Sequence, residues 1–508
     1  MKIKSNARKP RWLAAGLILL AAFAQNGYAK GQNDRGGTSP AAAIINIGSL
    51  YEPVNLSNTE GGGQGITEAF MGNVYEGLFK LTDEGKVENL LAERYTKSAD
   101  GLTYTITLRP GVTFHSGKTL TSADVKTSYE RIVAPGSLSA RRSIYQVVTN
   151  IETPDPGTVV FTLKTPAISF LYNLTYVFIL NDDGRDFKIS EDGTGPYMLD
   201  RWNQGSSLSL KKWDGYWGAP AKNAGVVFNY FTDASALSNA LLSGQIDIIT
   251  AVQSPDALAQ FENNRNFIIN NGASSTKELL AFNDKIPPYD NMNVRKAIYS
   301  AINREKLLSS IWGKYGSLIG SMVPPTDPWY DAALVNANPY DVGLAKRLLA
   351  SAGFPNGFAM TVDTPTYDPH PTVAEFLKSE LAAVGITVTI NSISADEWYS
   401  KVLRNHDFTV TLQEHVNDRD VVYYGNPDFY WGYNNPDVIR LIAESETVNT
   451  PEEQTQKLLE VNRTIAREAA SVWLYLYPQI VISAANVSGY PLNGLNSQFF
   501  AYNIVKTN

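Results

Sequence analysis

The side chains best suited to binding chemistry follow a short apolar stretch late in the chain. Residues 408–412 (FTVTL) are strand-like, and the segment after them is rich in Asp, Asn, Arg, Tyr and Trp. Carboxylates accept hydrogen bonds from cations, and aromatic rings supply large contact areas at a low entropic cost. The candidate ligand-binding residues are His415, Asn417, Asp418, Arg419, Asp420, Tyr423, Tyr424 and Trp431. The structural alternative is a surface hairpin in which Asp418 and Asp420 cap the backbone.

Enzyme and metal chemistry find little support in the sequence. The four histidines are His115, His370, His406 and His415, and none of them forms an HxxxH or HExxH pair. The chain has no cysteine, and no Gly-x-Ser-x-Gly elbow that would carry a nucleophilic serine. We therefore expect a protein that is not an enzyme, with no catalytic residues, no metal site and no cofactor.

The elements that must position the loop have regular patterns, the clearest of which is a strand. Residues 102–108 (LTYTITL) alternate apolar side chains with threonine, which predicts a half-buried strand. Asp100 and Gly101 mark a turn before this strand, and Pro110 ends it because proline cannot donate to a central ladder. A second short strand is expected at 112–114.

A helix is predicted next. Thr121 or Ser122 begins it, since Asp124 lies three residues after Thr121 and completes an approximate capping box. An apolar stripe follows at helical spacing, at Val125, Tyr129 and Ile132. By itself this pattern predicts a strand–turn–helix unit of a globular domain.

Strand and helix patterns alternate through much of the remaining chain, which favours an α/β protein. Further strands are predicted at 42–47, 159–163, 246–249, 279–283 and 386–390. Further helices are predicted at 67–78, 234–242 and 372–383, after Asn291 or Asn293, and between Asp341 and Ala352. Gly244 is placed just past the end of helix 234–242, where a left-handed residue is common.

Residues 1–29 have the pattern of a secretory signal peptide. Five Lys and Arg side chains precede the apolar run 12–23, and small-x-small cleavage sites end at Ala24 and Ala29. No cysteine follows the run, so we expect an exported chain without a lipid anchor. Removing these five positive charges from a net charge of −7 leaves about −12, and an acidic surface argues against nucleic acid as a partner.

The order of short motifs in the central stretch carries a family resemblance. Leu-Ala at 91–92 is followed by Asp-Gly-Leu-Thr-Tyr at 100–104, Leu-Arg-x-Gly-Val-x-Phe-His-x-Gly-Lys at 108–118 and Ala-Asp-Val at 123–125. This order closely resembles the signature of the family 5 extracellular solute-binding proteins, the dipeptide-, oligopeptide- and nickel-binding components of ABC importers.

Later motifs extend the resemblance from about residue 70 to residue 483. They are Gly-Thr-Gly-Pro-Tyr at 193–197, Tyr-Trp-Gly at 216–218, Ser-Gly-x-Ile-Asp at 243–247 and Val-Arg-Lys-Ala-Ile at 294–298. The resemblance implies an α/β, two-lobed periplasmic-binding-protein fold with an extra subdomain inserted in the first lobe. Strands alternating with helices predict a largely parallel sheet in lobe II.

The resemblance also implies a division of the chain into lobes. The predicted parts are a signal peptide 1–29, the first part of lobe I 30–79, the inserted subdomain 80–192, the second part of lobe I 193–275, lobe II 276–479 and the C-terminal part of lobe I 480–508. Such a protein closes its lobes over a small polar ligand and delivers the ligand to an inner-membrane ABC permease. We expect it in the periplasm, as a monomer.

The resemblance gives the loop after residue 412 a specific role. In peptide-binding relatives it typically reads Trp-x-x-Asp-Tyr-x-x-Pro, and its Asp accepts the α-ammonium of the ligand, since a buried cation needs such a partner. Here His415 or Val416 takes the Trp position, and the Asp position falls between Asp418 and Asp420.

The altered loop leaves the ligand class open. A peptide or peptide-like solute is our first expectation, and an oligosaccharide, an opine or a sugar conjugate is the alternative. One histidine on the loop is a weak basis for nickel binding. An exported hydrolase of peptides or glycans is the alternative from another class of function.

Overall fold

A computed structural model describes residues 42–60, 63–139, 141–252, 255–495 and 497–507. The predicted signal peptide and both of its cleavage sites lie outside the described residues. No helix in the described ranges has the length and apolar character needed to cross a membrane.

The described residues form twenty strands. In chain order they are β1 (Ile44–Ser49), β2 (Phe79–Leu81), β3 (Val87–Asn89), β4 (Ala92–Lys97), β5 (Thr103–Leu108), β6 (Val148–Asp155), β7 (Thr158–Leu163), β8 (Tyr197–Asn203), β9 (Ser207–Lys212), β10 (Gly225–Tyr230), β11 (Ile248–Ile249), β12 (Phe267–Gly272), β13 (Lys277–Phe282), β14 (Ala359–Pro365), β15 (Thr387–Ile393), β16 (Val410–His415), β17 (Ser471–Leu476), β18 (Gln479–Ala484), β19 (Val487–Ser488) and β20 (Val505–Lys506).

The same residues form twelve α-helices. They are α1 (Gly63–Phe70), α2 (Ser122–Val133), α3 (Arg142–Tyr145), α4 (Phe170–Leu174), α5 (Ala234–Leu242), α6 (Met292–Ala301), α7 (Arg304–Trp312), α8 (Val342–Ser351), α9 (His370–Ala382), α10 (Ala395–Trp398), α11 (Pro436–Glu446) and α12 (Pro451–Arg467). Shorter helical turns are the 3₁₀ segments Pro255–Gln260, Ala332–Asn336 and Asp420–Gly425 and the π-helical segment Tyr399–Arg404.

The largest sheet takes strands from three separated parts of the chain, in the order β12-β18-β11-β1-β10-β9-β8. β1 is parallel to β10 and β11, and the other neighbours are antiparallel. One apolar core of this sheet contains Ile47, Phe228 and Val481. A second contains Leu241 of α5 and Ile482.

A separate four-stranded sheet has the order β4-β5-β7-β6, with every pair antiparallel. Alternate residues of β5 are buried, which confirms the half-buried strand predicted at 102–108. Its core is formed by residues between Leu78 and Ile179, including Ile106 and Phe161. The sheet therefore has an interior of its own.

The helix predicted after this strand is confirmed as α2, with Thr121 at its N-cap. The backbone N–H of Thr121 donates to Asp124 Oδ2 at 2.9 Å, as the capping box requires. The second short strand predicted at 112–114 is wrong. Only an isolated bridge joins Thr113 to Thr119, because the chain turns back at once through a hydrogen bond from the Gly117 N–H to the Phe114 carbonyl.

The five-stranded sheet has the order β15-β14-β16-β13-β17. β14 is parallel to β15 and β16, whereas β13 is antiparallel to both of its neighbours. The sequence predicts a largely parallel sheet for lobe II, but only β14, β15 and β16 are parallel to one another. Its core contains Leu280, Val410 and Trp473.

Two short connections, which we call the crossing segments, join the seven-stranded sheet to the five-stranded sheet. Residues 273–276 lead from β12 to β13, and residues 477–478 lead from β17 back to β18. The backbone N–H of Tyr477 donates to the Thr276 carbonyl at 3.0 Å, so the two segments are hydrogen-bonded to each other.

Two glycines mark helix ends, one predicted and one not. Gly244, with φ +75°, follows α5 as expected. The helix predicted at 67–78 is wrong in length, because α1 ends at Phe70. Gly72 has φ +71°, and the N–H groups of residues 73–75 bond back to the Phe70 carbonyl, which closes the helix early.

Most other predicted elements are confirmed with ends shifted by a few residues, as β1, β7, β11, β13, β15, α5, α8 and α9. Asn291 rather than Asn293 is the N-cap of α6, and its side chain accepts from the Asn293 N–H. Asp341 caps α8 by accepting from the Leu344 N–H at 2.8 Å. These caps are local, so the sequence around each one suffices to place it.

Candidate functional site

The segment predicted to bind ligand is divided into a strand end and a helical turn. β16 ends at His415, and Asp420–Gly425 is a 3₁₀ helix. Arg419 precedes this helix with φ +56°, a left-handed conformation that costs a non-glycine residue about 1–3 kcal/mol. The surrounding contacts must supply that energy, so the turn is held by its neighbours.

A cavity of about 500 Å³ lies between this segment and α4, and we call it the arginine cavity. The predicted site residues that line it are Asn417, Asp418, Arg419, Asp420 and Tyr423. The lining also includes Arg141, Phe170 and Tyr172, and the apolar side chains Ile144, Ile442 and Leu458. The cavity thus combines charged and apolar lining groups.

Asp418 connects the two walls of the arginine cavity. It is 8% exposed, and its Oδ1 accepts a hydrogen bond from the Tyr172 hydroxyl at 2.6 Å. The Tyr172 hydroxyl lies 3.3 Å from that of Tyr176 on the same side. A carboxylate in this place is well shielded from water, where hydrogen bonds to charged groups are strong.

Two guanidinium groups lie near this carboxylate. That of Arg419 is 3.6 Å from the centre of the Tyr172 ring, and that of Arg141 is 3.6 Å from the centre of the Tyr176 ring. Cations over aromatic rings are attracted by the electron-rich ring face. The rings therefore fix the position of both arginines within the cavity wall.

A second aspartate supports the turn. Asp327 Oδ2 accepts from the backbone N–H of Arg419 at 3.0 Å. Burial, and the nearby charge of Asp418, raise the pKa of Asp327 to about 7, although Arg419 opposes this shift. The arginine cavity therefore has acidic and basic groups beside each other.

Asp420 has a different environment from Asp418, although only one residue separates them. Its Oδ2 lies 3.1 Å from Nζ of Lys277, at 2% and 0% side-chain exposure. Lys277 also donates to the Asn417 carbonyl, and His415 Nδ1 lies 3.4 Å from Asp420. Burial alone would raise the pKa of Asp420, but Lys277 and His415 hold it below its ordinary value. Asp420 is thus an anchor for the loop.

Tyr424 and Trp431 lie in the core of the five-stranded sheet. Trp431 is 0% exposed, and its ring stacks on that of Tyr424 with centroids 4.5 Å apart. The Tyr424 hydroxyl is 3.0 Å from Ser471 Oγ. Packing in the core accounts for both residues, and neither of them lines the arginine cavity.

The remaining predicted residues lie around this core. His415 Nε2 is 2.9 Å from the Tyr430 hydroxyl. Tyr423 stacks on Phe429 with centroids 4.6 Å apart, and its other side lines the arginine cavity. The structure therefore brings five predicted residues together at one cavity and places His415, Tyr424 and Trp431 behind it.

A larger cavity of about 670 Å³ lies beside the crossing segments, and we call it the crossing cavity. Its walls come from both large sheets and from Ser274, Thr276 and Tyr477 of the crossings. Glu414 on β16, and Val416 just after the end of β16, also line it. The same segment thus lines the crossing cavity up to residue 416 and the arginine cavity from residue 417.

The crossing cavity carries a cluster of ionisable groups on the five-stranded sheet. His370 Nε2 lies 2.8 Å from Glu414 Oε2 and 3.6 Å from Glu278 Oε1. Tyr477 donates to Glu278, and Tyr367 donates to Glu414 at 2.8 Å. Burial alone would lower the pKa of His370, but the two carboxylates raise it to about 9. Burial raises the pKa of Glu278 to about 7.

Glu68 on α1 is another carboxylate that lines the crossing cavity. It accepts hydrogen bonds from Ser49 at 2.5 Å and from Thr250 at 2.6 Å. Burial raises the pKa of Glu68 to about 7, although these two hydrogen bonds oppose the shift. Within the described ranges, no group of three or more His, Asp or Glu side chains is arranged to hold a metal ion.

Sequence reasoning missed Arg141, Tyr172, Glu68 and Glu278. Lys277 and Glu278 begin an otherwise apolar buried strand, and charged residues in that position are a visible sign of buried pairing. No comparable sign marks Arg141 or Tyr172. The partners of Tyr172, Asp418 and Arg419, lie about 250 residues further along the chain.

Two solved structures with a similar fold are periplasmic binding proteins. The periplasmic binding protein DppA from Helicobacter pylori, an ABC transporter-associated protein in complex with the peptide STSA, has a TM-score of 0.76 and 24% identity, covering 92% of this chain and 98% of its own. The periplasmic binding protein AgaA from A. tumefaciens R10, in complex with agropinic acid, has a TM-score of 0.76 and 25% identity, covering 92% and 99%. The predicted α/β, two-lobed periplasmic-binding-protein fold is confirmed.

The sequence comparisons define the family. The pattern of the bacterial extracellular solute-binding proteins, family 5, middle part, matches residues 86–436. The glutathione-binding protein GsiB of Salmonella typhi is 29% identical over 487 residues, 88% of this chain and 91% of that protein. This chain belongs to the family 5 extracellular solute-binding proteins, and it is a binding protein, not an enzyme.

Proposed function

We propose that this protein is the periplasmic receptor of an ABC importer, that its ligand is a small peptide-like zwitterion, and that it delivers this ligand to an inner-membrane permease as a monomer. Family membership supports the receptor role. The ligands named for similar proteins are glutathione for GsiB and a short peptide for DppA, and these support the ligand class.

The proposed lobes follow the division predicted from the sequence. The seven-stranded sheet draws its strands from 44–49, 197–272 and 479–484, and the four-stranded and five-stranded sheets draw theirs from 92–163 and 277–476. Each sheet has its own apolar core. The crossing segments are the proposed hinge, since they are the short connections between the two large sheets.

Asp418 is the proposed partner of the ligand's ammonium group, and its position carries the proposal. It is a buried carboxylate on the wall of the arginine cavity, where its Oδ1 accepts a hydrogen bond from the Tyr172 hydroxyl. A buried ammonium group requires an acceptor of opposite charge, because it is costly to leave without one. Arg141 and Arg419 supply donors for a ligand carboxylate in the same cavity.

Isothermal titration calorimetry with trialanine and N-acetyl-trialanine tests this assignment. Acetylation removes the ammonium group, so we expect it to weaken binding to the wild-type protein. Asp418→Ala should cost roughly 2–5 kcal/mol of affinity for trialanine, about 30-fold or more in Kd. The variant should also be indifferent to acetylation, because the interacting pair is already lost.

Asp428→Ala is the matched control, since Asp428 is an exposed aspartate outside both cavities. It should bind trialanine as the wild-type protein does. Equal affinity of the wild-type protein for both peptides, or unchanged affinity in Asp418→Ala, would reject Asp418 as the ammonium partner.

An opine is the second candidate ligand, and the similarity to AgaA with its agropinic acid favours it. Agropinic acid and a peptide share carboxylate and polar groups that the arginine cavity could hold, but they differ in mass and in the free amino terminus. Titration with agropinic acid beside trialanine and glutathione separates the two ligand classes.

A further inference from the structure

The crossing cavity differs from the arginine cavity in the sign of its charges. Four carboxylates line it, namely Glu68, Asp233, Asp368 and Glu414. His370 is the one basic side chain among its described lining residues, which include no Lys or Arg. The two carboxylates Glu278 and Glu414 already face His370. The cavity therefore has a net negative charge even when this histidine is protonated.

Two of these carboxylates belong to different parts of the fold. Glu68 belongs to α1, which packs against the seven-stranded sheet, and Glu414 belongs to β16 of the five-stranded sheet. The raised pKa of Glu68 reflects a carboxyl group that burial makes reluctant to ionise. A ligand cation between the two carboxylates would favour the ionised form and hold both parts together.

A buried amide in the same cavity is an independent sign of a ligand. Gln498 is 8% exposed and lines the crossing cavity, and its Nε2 has no hydrogen-bond partner among the described residues. A buried donor without a partner destabilises the folded protein. The carbonyl oxygen of a ligand peptide bond is a suitable acceptor for it.

The course of the chain indicates which part of a ligand would enter this cavity. Asp418 lies in the arginine cavity, and Val416 and Glu414 line the crossing cavity. A peptide with its ammonium group at Asp418, extended along this segment as in strand addition, would bring its second and third residues beside Glu414.

We propose that the crossing cavity selects ligands with a second cationic group, such as a lysine or arginine side chain at the second or third position, and that Glu414 and Glu68 are the residues that specify it. This inference rests on the proposed function, since it assumes a peptide-like ligand bound at Asp418.

The test compares two tripeptide pairs of matched size by calorimetry, Ala-Lys-Ala with Ala-Met-Ala and Ala-Ala-Lys with Ala-Ala-Met. In at least one pair the lysine peptide should bind ten-fold or more tighter. Glu414→Gln and Glu68→Gln should each reduce that ratio to three-fold or less. Glu305→Gln is the control on an exposed helix position outside both cavities, and it should keep the wild-type ratio.

Asp418→Ala should weaken the lysine and methionine peptides equally and keep their ratio, which separates the two assignments. Ratios near one, or a preference for methionine, in the wild-type protein would overturn the charge selection alone. A lysine preference that survives both Gln variants would overturn the assignment to Glu414 and Glu68. Absence of binding by all four peptides would overturn both this inference and the proposed function.

Discussion

The arginine cavity and the crossing cavity share one segment of chain, yet they use charge differently. Around the arginine cavity, acidic and basic side chains are held in place by tyrosine rings, by a backbone N–H and by the Lys277–Asp420 pair. Around the crossing cavity, carboxylates gather about a single histidine and about hydroxyl donors. The first can satisfy both ends of a zwitterion, and the second can satisfy a cation.

This difference in charge arises within a few residues of one segment. Glu414 and Asp418 are four positions apart but belong to different cavities. The left-handed turn at Arg419 and the buried Lys277 fix the point at which the chain passes from one cavity to the other. Disturbing these groups should therefore affect the two cavities unequally.

The largest expected effect is on the anchor that holds the dividing segment. Lys277→Met leaves Asp420 buried without its ion-pair partner, and breaking such a pair costs about 3–5 kcal/mol. We expect a loss of this size in the free energy of unfolding measured by urea denaturation. Lys314→Met removes an exposed lysine and should leave the urea midpoint unchanged. An unchanged midpoint in Lys277→Met would show that the pair does not hold the loop.

The next effect concerns the basic groups of the arginine cavity. Arg141→Met and Arg419→Met should each weaken binding of trialanine by about 1.5–3 kcal/mol if a guanidinium group binds the ligand carboxylate. Trialanine amide, which lacks that carboxylate, should bind to these variants and to the wild-type protein with similar affinity. Arg201→Met, on exposed β8, is the control for the loss of a positive charge. Equal losses for acid and amide would mean that the arginines only support the fold.

The crossing cavity should give a pH dependence through His370. Its pKa in the folded protein, about 9, lies above the ordinary value of 6.5, because Glu278 and Glu414 outweigh burial. The histidine therefore contributes stability that is fully present below about pH 6.5 and is lost as the pH rises through 9, at no more than about 1.4 kcal/mol per pH unit.

Urea denaturation of His370→Gln between pH 6.5 and 9 measures this contribution. The slope of stability against pH should be flatter than in the wild-type protein. His406→Asn alters a histidine outside both cavities, at a positive φ that asparagine tolerates, and should keep the wild-type slope. A variant slope equal to that of the wild-type protein would contradict a charged His370.

The smallest effect is expected at the contact between α4 and the helices α11 and α12, whose residues also line the arginine cavity. Ser169 Oγ donates to Glu446 at 2.8 Å and receives a hydrogen bond from Gln454 at 3.0 Å. Ser169→Ala should weaken trialanine binding by about 0.5–1.5 kcal/mol, since it removes hydrogen bonds that join α4 to α11 and α12 beside the arginine cavity. Ser309→Ala, on α7, should have no effect. A Ser169→Ala variant with wild-type affinity would show that this contact forms without helping binding.

Sequence patterns predict those elements whose structure depends on neighbouring residues. The alternation of residues 102–108 and the capping box at Thr121 depend on neighbours within a few positions, and both are found as predicted. Of the two predicted caps Asn291 and Asn293, the structure has Asn291. The end of α1 was missed because Gly72 closes the helix within an otherwise helical pattern.

The site was predicted only in part, for the same physical reason. The sequence indicates that the segment after residue 412 carries binding groups, but it gives no means of separating Asp418 from Asp420. That separation depends on Lys277, about 140 residues earlier, and on Tyr172, about 250 residues earlier. From the sequence, Trp431 is a candidate ligand-binding aromatic residue, but in the structure it is buried in the core. Only the packing of the folded chain distinguishes these two roles.

The ligand class is best established by native mass spectrometry of the mature protein purified from its own cells. Denaturing the protein and identifying what is released gives the ligand without any choice of probe. We expect one unaltered ligand per protein, with a free amino terminus, a carboxylate and a second basic group. A released sugar or other solute without an amino group would contradict the assignment of Asp418 and the peptide-like ligand class together.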